Sequence, residues 1–228
     1  MNLQAGNLGS LNWKHPVKVW EDEALLKKAP RSLRYSFQKR TLDIVFSLGI
    51  SLTLLSWLLP LLALLIRLES KGSPFFAQVR TGKDGKSFTC YKLRTMRINA
   101  LSDTKQATDG DERITRMGKF LRLSSLDELP QLFNVLLGDM SLVGPRPHML
   151  YHTNYYEPLI PSYKLRHLVK PGLTGLAQVK GLRGPTTHVS DMERRVHADL
   201  YYISNRNILL DIRIIGETAK EVWRALFR

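Results

Sequence analysis

The sequence has very few cysteines, which excludes a fold held together by disulfide bonds. Its 228 residues include a single cysteine, Cys90, so no disulfide can form within the chain, and a reducing compartment is expected. A lone cysteine is most often a small core residue, and we interpret Cys90 in that way. The sequence also has no internal repeat and no low-complexity segment. Its length suits one domain of ordinary size with appendages.

Acidic residues are scarce compared with basic ones. The chain has 20 aspartates and glutamates against 34 lysines and arginines, which gives a formal net charge of +14. This excess favours partners that carry phosphate: nucleic acid, an anionic bilayer or a phosphorylated small molecule. We expect no nucleic-acid partner, because no helix-turn-helix, zinc finger or other reading module is recognisable. The glycines follow neither the Rossmann nor the P-loop spacing, and the histidines do not fall at zinc-site spacings.

Charge is absent from one long stretch, since no side chain between Ile44 and Ile66 is ionisable. As a helix this run would be about 35 Å long, enough to cross a hydrocarbon core of about 30 Å. It starts too late, after too polar a leader, to be a cleaved signal peptide. We therefore expect a membrane protein.

How this run meets the membrane is not decided by the residues alone. Basic residues flank it on both sides, whereas a spanning helix should have them mainly on one side. Pro60 removes a backbone hydrogen bond and bends a helix. A spanning helix and a re-entrant helix that returns to the same face both remain open.

The two ends of the chain are also candidates for membrane contact. Residues 1–37 form a basic N-terminal arm, in which Trp13 and Trp20 lie among lysines and could rest on an anionic membrane surface. A loosely ordered arm with one short helix, Glu21 to Lys28, is the alternative. Near the other end, Ile208 to Phe227 has apolar residues at helical spacing. This pattern predicts a helix that lies either in the membrane interface or against the core.

Two short segments predict a β-hairpin. Phe75 to Arg80 and Phe88 to Leu93 are rich in aromatic and β-branched residues, and an Asp-Gly pair between them is a strong hairpin signal. Lys92 and Arg94 follow at alternate positions, which would place both cations on one face and suit a diphosphate. Solvated lysines that protect a strand edge are the alternative interpretation.

The central stretch from Ser124 to Pro147 has the most chemistry. The adjacent carboxylates of Asp127 and Glu128 open what looks like a short helix, a Gly138-Asp139 turn ends it, and a rigid Gly-Pro-Arg-Pro presents Arg146. Ser125 and Glu128 also fit a helix capping box. The capping box does not explain Asp127 or the cationic run before it, which comprises Arg113, Arg116, Lys119 and Arg122. Further on, the three glycines between Lys170 and Gly181 predict a loop that could wrap a ligand.

Five segments occur in a recognisable order: Lys92–Met96, Arg113–Arg122, Ser125–Leu132, Gly138–Pro147 and Lys170–Val179. In this order they resemble the bacterial sugar transferase family, the monotopic phosphoglycosyl transferases. The similarity covers about residues 38 to 225.

The resemblance implies an enzyme that moves a phosphosugar from a UDP-sugar to undecaprenyl phosphate, releases UMP and uses Mg²⁺. Asp127 would be the nucleophile, through an aspartyl phosphosugar intermediate, and Glu128 would help to hold Mg²⁺. Lys92, Arg94, Arg122 and Arg146 would neutralise phosphate oxygens. Such enzymes act at the cytoplasmic face of the bacterial plasma membrane, at the first membrane step of exopolysaccharide, capsule, O-antigen or glycoprotein-glycan assembly.

The family's membrane segment is a broken, re-entrant helix, so the resemblance favours the re-entrant alternative. Members commonly have Ser-Pro at the break, but here Ser56 is followed by Trp57, and the proline comes at Pro60. We expect the break at Ser56 and Pro60. The expected fold is mixed α+β and mostly helical: a monotopic membrane protein with a re-entrant broken helix, a short β-hairpin and interfacial amphipathic helices.

The expected parts of the chain are a basic N-terminal arm (1–37), to which no role is assigned, a re-entrant membrane helix (38–70), and a cytosolic catalytic domain with a C-terminal interfacial helix (71–228). A homodimer and the identity of the sugar stay open. A non-catalytic scaffold that keeps the fold is a second hypothesis, against which the intact Asp127-Glu128 pair and Arg146 argue.

Overall fold

The computed structural model describes residues 33–99, 107–108, 110–184, 186 and 188–226. The predictions for Trp13, Trp20 and the short helix Glu21 to Lys28 lie outside these residues. The helices and strands are, in chain order, α1 (Leu33–Ile50), α2 (Ser56–Glu69), β1 (Phe75–Thr81), β2 (Ser87–Leu93), α3 (Arg116–Ser124), α4 (Gln131–Leu137), β3 (Ser141–Val143), α5 (Leu150–Tyr156), β4 (Gly172–Thr174), α6 (Leu176–Val179), α7 (Val189–Asn205) and α8 (Ile208–Leu226). The fold is mostly helical, as predicted, and besides the predicted hairpin it contains a parallel pair of short strands, β3 and β4.

One long helix, Leu33–Glu69, contains α1, a π-helical turn at Ser51–Leu55, and α2. By length and composition it could cross a membrane, and 22% of its most apolar window is buried inside the protein. The predicted break lies next to the π turn: Ser56 is the first residue of α2, and Pro60 lies within α2. The backbone stays helical throughout, and a π turn is a common place for a helix to absorb a local irregularity. Re-entry into the membrane stays a prediction.

Both halves of the long helix contact the rest of the protein. In α1, Arg40 donates to the carbonyl oxygens of Val135 and Leu136 at 2.6 and 2.8 Å, and so caps the last turn of α4. The buried carboxylate of Asp43 accepts the backbone N–H of Leu142 at 2.9 Å. In α2, apolar side chains join the main core: Leu59, Leu62 and Ile66. The long helix is therefore part of the folded domain along most of its length.

The predicted hairpin is confirmed. Strands β1 and β2 pair antiparallel, with Phe75 opposite Leu93 and Thr81 opposite Ser87. Asp84 and Gly85 both have positive φ, 55° and 75°, as a tight hairpin connection requires. The buried amide of Asn134 donates to Thr89 O at 2.7 Å and accepts from Tyr91 N at 3.0 Å. It thereby ties α4 to the edge of β2 in place of a third strand.

The glycines after Lys170 have a packing role that the sequence analysis did not predict. Residues 172–174 form β4, which pairs parallel with β3, and α6 follows. A Cβ atom at Gly172 would overlap the backbone nitrogen of Gly144, and one at Gly175 would overlap the Gly144 carbonyl oxygen. The predicted loop is instead a strand and a short helix, and its glycines allow two backbone segments to cross in contact. Leu173, Thr174, Ala177 and Gln178 line the groove at the candidate site, and contact of this segment with a ligand stays a prediction.

The predicted C-terminal helix is α8, which packs on the core and also exposes apolar side chains. Ile214 is buried, whereas Leu209, Ile212 and Trp223 are 76%, 53% and 65% exposed. Packing on the core is thus observed. Contact of the outer face with a membrane interface stays a prediction.

Candidate active site

Asp127 lies in a tight turn that directly follows Ser125, a residue with a left-handed backbone conformation. Helix α3 ends at Ser124, and Ser125 adopts a left-handed conformation with φ 58° and ψ 16°. A single 3-10 turn, Leu126–Glu128, follows directly. The Ser125 side chain makes no capping hydrogen bond, so the capping box considered for Ser125 and Glu128 is wrong. Left-handed conformations are uncommon for serine and concentrate at functional sites.

The side chain of Glu128 is held between two cations. Lys92 Nζ donates to Oε1 at 2.7 Å, while Arg146 donates from Nη1 to Oε2 at 3.0 Å and from Nη2 to Oε1 at 2.5 Å. Burial alone would raise the pKa of Glu128, but Arg146 and Lys92 outweigh it and hold that pKa well below its usual range. Glu128 is therefore ionised at neutral pH.

Asp127 is in the opposite situation. Its side chain is buried, with 8% of the residue exposed, and within the described part of the chain its carboxylate makes no hydrogen bond. Burial raises the pKa of Asp127 to about 6; Lys92 opposes this rise, and the neighbouring charge of Glu128 adds to it. The two adjacent carboxylates thus differ: cations hold Glu128, whereas Asp127 has a raised pKa and no hydrogen bond among the described residues, which makes it a candidate functional group.

The remaining predicted cations do not all converge on this pair. Arg122 donates from Nε to Thr95 Oγ1 at 2.8 Å, and its charge acts on Asp127. Arg94 instead donates to the carbonyl oxygens of Ser70 and Lys71, both at 2.6 Å. Lys92 and Arg94 both line the groove described below, and their joint contact with a diphosphate stays a prediction. Strand β2 ends at Leu93, so strand alternation no longer applies to Arg94.

A buried hydrogen-bond network that the sequence analysis did not predict contacts the backbone of Arg146. Arg166 pairs with Asp199 at 2.7 Å, both side chains being 2% exposed, and its Nη2 also donates to the carbonyl oxygen of Arg146 at 2.8 Å. The Nη1 of Arg166 contacts His148 Nδ1, which Tyr163 also contacts at 2.6 Å. One sequence signal was available, because Asp199 lies in the apolar stripe of α7 among Met192, Val196, Leu200 and Ile203.

A groove of about 1440 Å³ contains the carboxylate pair. Its lining includes Lys92, Arg146 and Arg195, together with apolar side chains from the long helix and α8, among them Phe46, Leu54 and Val222. The groove therefore has both cationic and apolar side chains in its lining.

The carboxylate pair suits a magnesium ion that also binds a substrate. Within the residues described, no three His, Cys, Asp or Glu side chains lie close enough to hold a metal by themselves. Mg²⁺ is typically held by one or two carboxylates, with water and substrate phosphates as its other ligands. Glu128 Oε2 accepts one hydrogen bond, from Arg146, and keeps a second lone pair. Glu128 therefore fits the predicted role of metal ligand.

Comparison with known proteins agrees with this arrangement. Residues 34–225 match the family described as "Bacterial sugar transferase". This chain belongs to the bacterial sugar transferase family. The match includes the carboxylate pair, its cations, and nearly all of the long helix.

Three relatives illustrate how much of this sugar transferase is shared. A "UDP-glucose:undecaprenyl-phosphate glucose-1-phosphate transferase" of Caulobacter vibrioides is 46% identical over 216 residues, covering 92% of this chain and 80% of the relative. One of the same name from Klebsiella pneumoniae is 50% identical, covering 78% of the chain but only 38% of the relative. The "Exopolysaccharide production protein PSS" of Rhizobium leguminosarum bv. phaseoli is 47% identical, with 82% and 96% covered.

Proposed function

We propose that this protein transfers a sugar 1-phosphate from a UDP-sugar to undecaprenyl phosphate and releases UMP. The observation that carries the proposal is the unbonded, buried carboxylate of Asp127 beside a Glu128 that Lys92 and Arg146 hold ionised. The names of the Caulobacter and Klebsiella relatives support the two substrates. They also make UDP-glucose the first donor to test.

The reaction proceeds in two displacements at the donor phosphorus that carries the sugar, and Asp127 is the nucleophile in the first. A carboxylate oxygen attacks the donor phosphorus that carries the sugar, the bond from that phosphorus to the bridging oxygen breaks, and UMP leaves with that oxygen. The enzyme then carries an aspartyl phosphosugar. A phosphate oxygen of undecaprenyl phosphate attacks the same phosphorus, which frees Asp127 and forms the lipid-linked diphosphate sugar. Splitting the transfer lets two bulky substrates use one site in turn.

The side chains around Asp127 have separate roles in this scheme. Arg146 and Lys92 surround Glu128 and extend positive charge toward the donor phosphates, and the charge of Arg122 lies close to Asp127. Arginine suits phosphate because its planar fork donates two hydrogen bonds at once. A Mg²⁺ ion held by Glu128 would neutralise charge that builds on the diphosphate.

The apolar side chains of the groove and of the long helix support a location of this chemistry at a membrane. The acceptor is a lipid whose phosphate lies at the membrane surface, so the active site must reach that surface. We propose that the protein is monotopic on the cytoplasmic face of the bacterial plasma membrane, with the long helix re-entrant, and that it performs the first membrane step of a glycan assembly pathway. Contacts of both α1 and α2 with the catalytic domain support this placement.

Trapping the intermediate tests the proposal directly. Purified protein in lipid bilayers, given Mg²⁺ and UDP-glucose labelled in the sugar and in its phosphate but no acceptor, should release UMP and retain one labelled phosphosugar. Peptide mapping should find the label on Asp127. Other UDP-sugars are then screened by UMP release. Product formed with no label on any residue would contradict the two-step mechanism.

The pH dependence of the first displacement should follow Asp127. The attacking carboxylate must be ionised and its pKa is about 6, so the single-turnover rate should fall about tenfold per pH unit below that value. Glu128 does not titrate in this range, because its cations keep its pKa low. A rate that stays constant down to pH 5 would argue against an ionised Asp127 as the nucleophile.

The topology prediction concerns the two ends of the long helix. In a variant where buried Cys90 is replaced by serine, single cysteines at Leu33, which is 87% exposed, and at exposed Lys86 should react with a membrane-impermeant maleimide from the same side. Inside-out vesicles should label both sites and right-side-out cells neither. Labelling from opposite sides would mean that the helix spans the membrane.

A further inference from the structure

The C-terminal end of the long helix is held by Arg94. The Arg94 guanidinium is nearly buried, and it donates to the Lys71 carbonyl oxygen and to the Ser70 carbonyl oxygen at 2.6 Å each, and to Ser70 Oγ at 3.0 Å. A Cβ at Gly72 would overlap Arg94 Nη1. The backbone after the helix therefore wraps closely around this guanidinium.

Glu69 holds the same helix end to α3. Its two carboxylate oxygens accept the backbone N–H groups of Arg116 and Met117 at 2.8 and 2.9 Å. These N–H groups belong to the first turn of α3 and have no partner within that helix. A carboxylate from another helix thus caps α3, in a position that the helix dipole favours.

We call these contacts of Glu69 and Arg94 the junction. Further contacts link the junction to Asp127. Gly118 of α3 packs so closely on Thr95 that a Cβ would overlap the Thr95 carbonyl oxygen. Arg122, one turn later, donates to Thr95 Oγ1. Helix α3 then ends at Ser124, Ser125 follows it, and Asp127 lies in the next turn. The position of the nucleophile therefore depends on the same elements that hold the helix end.

We propose that Glu69 and Arg94 are positioning residues that fix the height of Asp127 relative to the membrane, and so determine how well the lipid acceptor reaches the phosphosugar. The inference rests on the proposed function. A soluble donor can approach Asp127 from the water at any height. The acceptor phosphate is confined to the bilayer surface, so a displacement of Asp127 relative to the long helix should impair the second displacement alone.

Conservative variants test this inference in the full chain, reconstituted in bilayers that contain undecaprenyl phosphate. Glu69→Gln and Arg94→Lys weaken the junction, while Glu217→Gln and Arg194→Lys make the same changes at exposed ion pairs. We measure the rate of phosphosugar loading from UDP-glucose and, separately, the rate of its transfer to the lipid. We expect loading within about threefold of wild type and transfer slowed about tenfold or more, the scale of loss that small misplacements produce. The two control variants should match wild type in both steps.

Each alternative outcome has a distinct meaning. Slower loading with unchanged transfer would make Arg94 a donor-phosphate ligand and would overturn the inference. Equal losses in both steps, or no loss in either step, would also overturn it. Should the two variants fail to fold, Ser70→Ala removes one of the Arg94 hydrogen bonds and should slow transfer selectively by a smaller factor. Wild-type protein that acquires no phosphosugar would contradict the proposed function and the inference with it.

Discussion

Replacing Asp127 with asparagine should abolish UMP release, with a loss of about 10³-fold or more. Asparagine has nearly the same shape as aspartate, but its amide cannot attack phosphorus. The matched control is Asp139→Asn, which makes the same chemical change at an exposed residue of the turn that ends α4. The control should keep activity within about twofold, since exposed substitutions away from the site have small effects. Normal turnover by Asp127→Asn would rule out Asp127 as the nucleophile.

The Asp127→Asn variant should also be more stable than wild type at neutral pH. Burial raises the pKa of Asp127 to about 6 from 3.8. Ionised Asp127 therefore opposes folding at pH 7. This cost in free energy falls as the pH drops through about 6, and it is lost below 3.8, the pKa of the side chain in the unfolded chain. Removing the charge should raise the free energy of unfolding at pH 7 by on the order of 1–3 kcal/mol. At pH 4 the difference should be small. Denaturant unfolding of the two proteins at both pH values measures the effect, and a variant that is less stable at pH 7 would contradict the assigned pKa shift.

Breaking the buried pair behind the site should have the largest effect on stability. Asp199→Asn would leave the guanidinium of Arg166 buried without a counter-charge, and removing one partner of such a pair typically costs about 3–5 kcal/mol. Burial raises the pKa of Asp199 even though Arg166 lowers it, so the loss comes mainly from the unpaired Arg166. Urea unfolding in a mild detergent measures the loss.

The control for Asp199 is an exposed ion pair. Glu157 bonds Lys164 at 2.7 Å, with the two side chains 33% and 71% exposed. Glu157→Gln should therefore cost less than about 1 kcal/mol. Equal losses at Asp199 and Glu157 would mean that the buried pair does not support the fold. Because Arg166 also bonds the Arg146 carbonyl, Asp199→Asn should lower activity as well.

Local sequence signals were sufficient where the physical cause is local. The Asp-Gly pair between two β-branched, aromatic segments predicted the hairpin, since only certain residues accept the positive φ values found at Asp84 and Gly85. Gly138, with φ 94°, ends α4 as the Gly-Asp turn predicted. The resemblance to the family placed Asp127, Glu128, Lys92 and Arg146 in one site, and the structure brings these four residues together.

Long-range pairing escaped the sequence analysis. The role of Arg94 could not be predicted from alternation, because β2 ends one residue earlier and the partners of Arg94 are Ser70 and Lys71, which directly follow the long helix. Likewise, the glycines around Gly172 look like those of a ligand loop until β3 and Gly144 are packed against them. Neither pattern contains information about which distant segment will lie beside it.

The sequence by itself determined the excess of positive charge, the apolar stretch long enough for a membrane, the hairpin and the presence of the carboxylate pair. These features depend on composition, side-chain periodicity and turn residues, which neighbouring positions decide. Only the tertiary structure decided that Lys92 and Arg146 bond Glu128, while Asp127 has no hydrogen bond among the described residues. It also decided that Arg166 and Asp199 support Arg146. The contacts of Glu69 and Arg94 at the end of the long helix likewise depend on the tertiary structure. A buried charge is tolerable only beside a partner, and the chain brings such partners together from tens of residues away when it folds.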